Sequence, residues 1–496
     1  MRTFRLMVLC TAVAATLSSC SFVDRFSPRA VDFNRQAEIA QNSGLLLNIV
    51  RASLGRPMQF TTLSTVTGSA SSSGSSSLTL PFGPAYHRPK TVGTPDVFGL
   101  TGSVSGGPTF TVPVLDTQEF YQGILKPLTG QEYQFFLDQG YTSAMLLYLF
   151  VDRIELTVAG QRGAGEEKYS YINYTGDDFD FDRFAAVADY LLGFGLTVEQ
   201  VKLQREVGPP LTAAGIGTLR DIAAAANAGL QVLPVAQVRR EQEEATGTAP
   251  RPGAKAPRRR ETAGAVRYEA TKQVAFYRPC LAAPPDRRTQ VDPSLLCGSN
   301  AASAVDDPLV RHGGFDATAL IQRLAVIRER AIAAARASGR TGIAAQLANL
   351  KDPLPGTHLQ FRLYMRTTEG IMHYLGAVIR RRLQPQFDRP RTIQVKIGVP
   401  YLPYPETPCD DRVNGGKTFD LGDGFRCENL FVVEDKPGVP GPLAVEYDDK
   451  TYTIPQSPQI AGWTMRVLDL TKQLLALHTA AKELPASNVL NIIGTP

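Results

Sequence analysis

The chain has 496 residues, of which 43% are hydrophobic, 20% charged and 8% aromatic, with 43 glycines and 35 prolines. At roughly 100–200 residues per domain this length accommodates more than one core, and the composition excludes collagen, coiled-coil rods and wholesale disorder. Its 52 Lys and Arg against 47 Asp and Glu leave a formal charge of +5. That excess is too small for a nucleic-acid footprint, which needs a clustered basic face, so no nucleic-acid partner is expected.

Arg2 and Arg5 precede an apolar run from Leu6 to Leu17 that ends in small residues. About 12 apolar residues cover only ~18 Å as a helix, short of the ~30 Å of bilayer hydrocarbon, so residues 1–19 read as a signal peptide and not a membrane span. Leu17-Ser18-Ser19-Cys20 at its end resembles the lipobox of bacterial lipoproteins. The resemblance implies cleavage before Cys20, a diacylglycerol on its thiol and acylation of the new amine, which together exceed the threshold for stable anchoring. Because Ser21 and not Asp follows, it also implies the periplasmic face of the outer membrane.

Within residues 20–57, Val31–Leu54 reads as a lipid-anchored N-terminal helix, with Leu45, Leu46, Leu47, Ile49 and Val50 too apolar for a bare tether. Gly55, Arg56 and Pro57 stop it. Thr/Ser/Val-rich segments around Phe60–Val66, Leu78–Phe82, Val97–Val104 and Thr109–Leu115 read as strands. Gly68–Ser77, nearly all Ser, Gly and Ala, orders only if it is paired in a sheet. Asp116 or Thr117 then caps a helix bearing Glu119. Gln131–Gln139 follows, and an apolar helix through Met145–Phe150 runs into a strand Val151–Val158. Strand Tyr169–Tyr174, helix Phe181–Leu192 and strand Thr197–Leu203 resemble the compact α/β modules of envelope assemblies. Residues 58–237 are thus read as one α+β domain.

From Val238 to Ala263 the composition shifts to Arg, Glu, Pro, Gly and Ala, with Arg258-Arg259-Arg260 near the end. This Arg/Pro-rich stretch reads as a flexible basic linker or as a long loop inside one domain. Beyond it, residues 264–496 form a C-terminal α+β domain. Its expected helices are Asp316–Ala337, Leu359–Leu383 and Met465–Leu484, and its expected strands Ile393–Val399, Leu430–Val433, Leu443–Tyr447 and Val489–Ile493. Val467, Leu470, Leu474, Leu477, Ala481 and Leu484 fall at helix-seam spacing, and packing into their own domain is expected. Arg380–Arg382 suits the dipole at the end of its helix. The fold class is therefore α+β, a multi-domain mixed fold of short strands and amphipathic helices.

Of six cysteines, Cys10 leaves with the signal peptide and Cys20 takes the lipid, so Cys280, Cys297, Cys409 and Cys427 remain. An even number in an oxidising compartment suggests disulfides. The two nearest pairings, Cys280–Cys297 and Cys409–Cys427, would each close a Pro-, Gly- and Asp-rich loop worth about 3 kcal/mol, with other pairings open. Short Cys-x-x-Cys spacing is absent, so no metal site is expected.

No two of the histidines sit at ligand spacing, and His373, between Met372 and Tyr374, reads as a partly buried structural histidine. Gly102-Ser103-Val104-Ser105-Gly106 puts valine where a nucleophile elbow needs serine. Gly415-Gly416-Lys417-Thr418 lacks the first glycine of a phosphate loop, Asp411 standing there. Asp178, Asp180 and Asp182 match the opening of a calcium loop with Asp189 at its end, but Arg183 replaces the turn glycine, and capping of a helix N-terminus explains them better. No catalytic residue and no cofactor is expected.

Leu45-Leu46-Leu47-Asn48-Ile49-Val50-Arg51-Ala52, Leu115-Asp116-Thr117-Gln118-Glu119-Phe120, Leu146-Leu147-Tyr148-Leu149-Phe150 and Glu369-Gly370-Ile371-Met372-His373-Tyr374-Leu375-Gly376 resemble a family of uncharacterised proteobacterial lipoproteins. The resemblance implies a class and a location, with no catalytic residue to carry over. The expected function is that of a non-enzymatic scaffold or assembly partner in the cell envelope. Its partners would be the membrane, through the N-terminal lipid, and envelope proteins or further copies of itself. A second reading is an oligomeric export channel whose Phe60–Leu115 strands give hairpins to a shared barrel, as in curli-type secretion lipoproteins. Against it, those strands lack clean apolar–polar alternation over the ~10 residues a membrane strand needs. A third reading is a periplasmic hydrolase using dispersed carboxylates.

Overall fold

The computed structural model describes residues 26–61, 65–67, 72–79, 97–104, 109–111, 115, 117–158, 167–206, 211–212, 230–234, 267–298, 314–384, 392–398, 409 and 415–478. Residues 1–19, expected as a signal peptide, Cys20, the 238–263 segment and Val489–Ile493 lie outside these residues. The fold is α+β, with ten helices and several small antiparallel sheets in the described region. Two units make it up: one takes Met1–Asn48, Pro57–Tyr121 and Ala476–Pro496, the other Ile49–Arg56 and Gln122–Leu475.

In the first unit, helix α1 (Phe26–Ser53, whose last turn from Ile49 belongs to the second unit) is exposed at Val31 and Ile39 and buried at Leu45 and Leu46. Asn48 donates to the Gln59 carbonyl at 2.8 Å and accepts from its N–H at 2.9 Å, satisfying an amide that is 5% exposed. Strand β1 (Thr65–Thr67) pairs antiparallel with β4 (Thr109–Thr111), and β2 (Ser72–Thr79) with β3 (Val97–Val104). Much of the Ser/Gly stretch is therefore ordered by pairing. Leu115 donates to the Phe60 carbonyl at 2.9 Å, and the Phe60 and Phe120 rings lie 5.1 Å apart. Helix α2 (Gln118–Ile124, whose residues from Gln122 belong to the second unit) is capped by Thr117, whose hydroxyl accepts from Phe120 N–H.

The second unit is organised by an apolar helix that passes directly into a strand. Thr129 and Glu132 form a capping box on α3 (Gly130–Asp138). Thr142 caps α4 (Ser143–Phe150), which is buried from Ala144 to Phe150 and ends where Val151 starts β5 (Val151–Val158). Strand β6 (Lys168–Ile172) pairs with one side of β5, and α5 (Asp178–Gly193) packs on both. Gly195, at φ +73°, turns the chain into β7 (Leu196–Glu206); a Cβ there would lie 2.8 Å from the Ala282 carbonyl oxygen.

Short strands β8 (Leu211–Thr212) and β9 (Leu230–Pro234), together with β7, pair antiparallel with the long β10 (Arg267–Leu281). Strand β11 (Phe315–Asp316), helices α6 (Thr318–Ala337) and α7 (Thr341–Ala348), and β12 (His358–Met365) follow. The central sheet runs β11-β12-β5-β6, so strands from both sides of the 238–263 segment share it. The described residues on either side of that segment, which was expected as a linker or a long loop, belong to the same unit.

Leu359–Leu383, expected as one helix, is instead β12 followed by α8 (Thr368–Leu383). The reason is a change of period: Leu359, Phe361 and Leu363 alternate into the core, and only after Thr367, whose hydroxyl caps α8 through Gly370 N–H, does helical spacing begin. A three-stranded sheet of β13 (Gln394–Ile397), β14 (Phe419–Gly422) and β15 (Phe425–Asn429) comes next. Leu430–Val433, expected as a strand, is buried but irregular. It serves the core without joining a ladder, Leu430 N–H donating to the Ile393 carbonyl and Val432 N–H to the Thr464 hydroxyl. The hairpin β16 (Leu443–Tyr447) with β17 (Lys450–Ile454), short α9 (Pro458–Ala461) and α10 (Thr464–His478, whose residues from Ala476 belong to the first unit) complete the unit. In α10, Val467, Leu470 and Leu474 are buried, while Leu477 is exposed.

Candidate functional site

Two buried side chains of the second unit, Arg366 and Asn173, meet at its α4–β5 junction. Arg366, which follows β12, donates from Nη1 to the carbonyls of Tyr148, Leu149 and Val151 at 3.2, 3.1 and 2.8 Å, and from Nη2 to Asn173 at 2.8 Å. Asn173 Nδ2 donates to Tyr148 and Val151 as well. A helix that hands its chain straight to a strand leaves its last carbonyls without helical partners, and a cation is suited to that negative end of the dipole. The Arg366 guanidinium lies 3.9 Å over the Tyr374 ring. Burial lowers its affinity for the proton, with Tyr374 and Asp152 opposing that shift.

Two further clusters bury carboxylates. Asp189 on α5 accepts from the Tyr148 hydroxyl at 3.2 Å and from Lys396 Nζ at 3.1 Å, with Arg323 at 3.6 Å; Lys396 is 1% exposed. Burial, reinforced by Asp189, pushes the Tyr148 phenol well above its ordinary range, so it remains a hydrogen-bond donor. Asp352 lies between Arg183 at 2.6 Å and Arg328 at 3.0 Å, and the Arg183 guanidinium also covers the Tyr171 ring at 4.8 Å. In each cluster one carboxylate is shared by two cations from different elements. This arrangement joins α5, α6 and the strands.

Cys280 is bonded to Cys297 and Cys409 to Cys427. Glu199 approaches the first bridge, the donor atoms of Glu199, Cys280 and Cys297 lying within 4.8 Å of one another. Sulfurs joined in a disulfide have no thiolate to offer a metal, and Glu199 is engaged by Arg278 at 2.6 Å and by Gly298 N–H. Asp178 and Asp180 lie in the first turn of α5, but the cap is Asp177, which accepts from Phe179 and Asp180 N–H. Asp178 pairs with Arg381.

His373 is exposed on α8 with Glu369 at 3.7 Å, where a partly buried histidine was expected. Its position on the outer face explains the difference, since the buried stripe runs through Met372, Leu375 and Ile379. The basic end of α8 serves other elements as well as its own dipole. Arg380 donates to the Ser53 and Ala52 carbonyls, Arg381 to Thr175, and Arg382 to Thr392 and Glu434. Gly416 and Lys417 lead into strand β14, not a helix.

Sequence reasoning missed Lys396 and Arg366. A lone lysine within the apolar stretch Ile393–Val399 was the available signal for the first; nothing local announces the second.

In the first unit Thr67 pairs with Thr109 in one ladder and Ser72 with Val104 in the other. Alternate residues of a strand share a face, and directly opposed residues share it too. Within β2–β3 one set of paired positions holds Leu78, Phe98, Leu100 and Val104 with Ser and Gly, and the other holds Ser, Thr, Val97 and Gly99. Comparison of the chain with protein-family models, curated proteins and solved structures finds no match.

Proposed function

We propose that this is an exported, lipid-anchored protein of the cell envelope that works by assembly and not by catalysis. The observation that carries export is the bonding of Cys280 to Cys297 and of Cys409 to Cys427. Such pairs persist in oxidising compartments, and they agree with the signal peptide and the lipobox-like Leu17–Cys20. The assembly reading is supported by the way Asp189 and Asp352 are held between cations of the protein itself. The anchor is Cys20, and the outer membrane's periplasmic face is its location. The test is mass spectrometry of the mature N-terminal peptide from membranes of a bacterium expressing the full chain. A peptide beginning at Cys20 and carrying acyl mass is expected, with Cys20→Ala left unprocessed and unacylated. A mature chain with an unmodified Cys20 thiol contradicts the proposal.

A further inference from the structure

Resting on the lipid-anchor reading, we propose that the helical hairpin α6–α7 is a second membrane contact, a docking surface for the anionic phospholipids of a bilayer. Helix α7 lies at the boundary of headgroups and acyl chains, and the cations on either side of it meet lipid phosphate.

The first observation is charge. No Asp or Glu occurs from 330 to 351, whereas Arg330, Arg336, Arg340 and Lys351 do; Glu329 and Asp352 bound the stretch. The inner cations of the hairpin are matched by the protein itself, Arg323 with Asp189 and Arg328 with Asp352. The outer four are exposed and have no carboxylate partner among the described residues. A surface of one sign attracts its opposite, and anionic headgroups supply it.

The second observation is α7 itself. Thr341–Ala348 contains no charged residue, yet all of its positions except Ala344 and Leu347 are exposed. Ile343 is 44% exposed, and Ala333, Ala337, Ala345 and Ala348 are exposed as well. A helix that faces only water carries charged or polar residues on its outer side. An exposed helix without charge, with Arg before it and Lys after it, has the pattern of an interfacial helix. Its apolar body enters the edge of the acyl layer while the long basic side chains reach back to the headgroups.

The third observation is presentation. Gly339, at φ +71°, reverses the chain between the two helices, and Arg328 of α6 donates to the Leu350 carbonyl at 2.9 Å, tying the segment after α7 to α6. With α7 already folded and held, docking costs little ordering entropy. The Cys20 lipid keeps a bilayer within reach of the hairpin. The anchor then supplies retention, and the hairpin fixes which side of the second unit turns to the lipid.

Trp463, the chain's single tryptophan, is buried, so a tryptophan placed on α7 reports against a constant background. The test reconstitutes full-length Ile343→Trp into two kinds of vesicle, phosphatidylcholine alone and phosphatidylcholine with phosphatidylglycerol in equal parts, each carrying brominated acyl chains as quencher. Quenching is expected with phosphatidylglycerol and not without it, and added salt is expected to reverse it. Each basic side chain near an anionic surface is worth roughly fivefold in binding, so Arg336→Gln, Arg340→Gln and Lys351→Gln together should lower the docked-to-free ratio by on the order of 100-fold. The salt titration, with every cation in place, gives the same loss without altering the fold. Ile343→Trp left unquenched in both vesicles puts the hairpin in water and overturns the proposal. Equal quenching in both overturns the role of anionic lipid. Emission already shifted to the blue in detergent, with a second protein co-purifying, places α7 on that protein and also overturns it. The mass of the Cys20 peptide from the same preparation reports separately on the lipid anchor.

Discussion

The β2–β3 ribbon and the β12–β5 pair are both antiparallel ladders with one apolar face, and they differ in what the other face carries. In β12–β5, Leu156 stands opposite Phe361 and Ile154 opposite Leu363, all buried. The reverse face sets Glu155 against Arg362 and Arg153 against Tyr364, whose ring its guanidinium covers at 4.0 Å. In the ribbon, Leu78 stands opposite Phe98 and Ser76 opposite Leu100, and the reverse face sets Ser73 against Ser103 and Ser75 against Thr101. Charge on the second face commits a sheet to water, and α5 covers its first face. The reverse positions of the ribbon carry Ser, Thr, Val97 and Gly99 and no charge.

The sharpest way to break this contrast is to unsettle the water-committed side alone. Arg366→Leu strips four carbonyls of a buried cationic donor and should cost roughly 3–5 kcal/mol, read as a lower urea midpoint with the particle mass in detergent retained below that midpoint. Replacing Cys280 and Cys297 by Ser should cost about 3 kcal/mol by the same readout, since the bridge closes a loop whose ends are 17 residues apart.

Alkali acts on the same side. Burial raises the Tyr374 phenol from its ordinary 10.0 to about 12, so the folded state holds the proton more tightly than the unfolded one. The stability this contributes is complete below pH ~10 and disappears as pH rises toward about 12, a loss of up to roughly 2–3 kcal/mol. Ultraviolet titration of the phenols alongside unfolding checks it. Tyrosines ionising at their ordinary value in the folded protein would refute it.

Smaller effects sharpen the contrast. Gly376→Ala would set a Cβ 2.8 Å from Ser53 N and 2.9 Å from Ala52, where the last turn of α1 meets α8, and should cost about 2 kcal/mol in thermal unfolding. Thr129→Ala removes the capping box of α3 and should cost about 1 kcal/mol, with Thr129→Ser restoring most of it.

How much of this was legible in the sequence follows from which forces act locally. The α4–β5 junction was readable because Met145–Phe150 is continuously apolar and Val151 begins a two-residue period. Thr129-x-x-Glu132 was a readable cap that the reading passed over. The β12–α8 boundary was missed because Leu359, Phe361 and Leu363 look helical when joined to the apolar residues after Thr367. Lys396 with Asp189 and Arg366 with Tyr148 were out of reach, since those partners are 207 and 218 residues apart.

The ribbon lies between these cases. Its small residues blur a pattern within either strand, and only the pairing of Ser72 with Val104 shows that Leu78, Phe98, Leu100 and Val104 share a face. A face is a property of two strands, whereas periodicity is read on one.

The most direct measurement of the central claim is the mass of the mature N-terminal peptide of the full-length chain, taken from membranes of an expressing bacterium. The account predicts a peptide that begins at Cys20 and carries acyl mass, with both disulfides formed in the same chain. A mature chain whose Cys20 thiol is unmodified would contradict it.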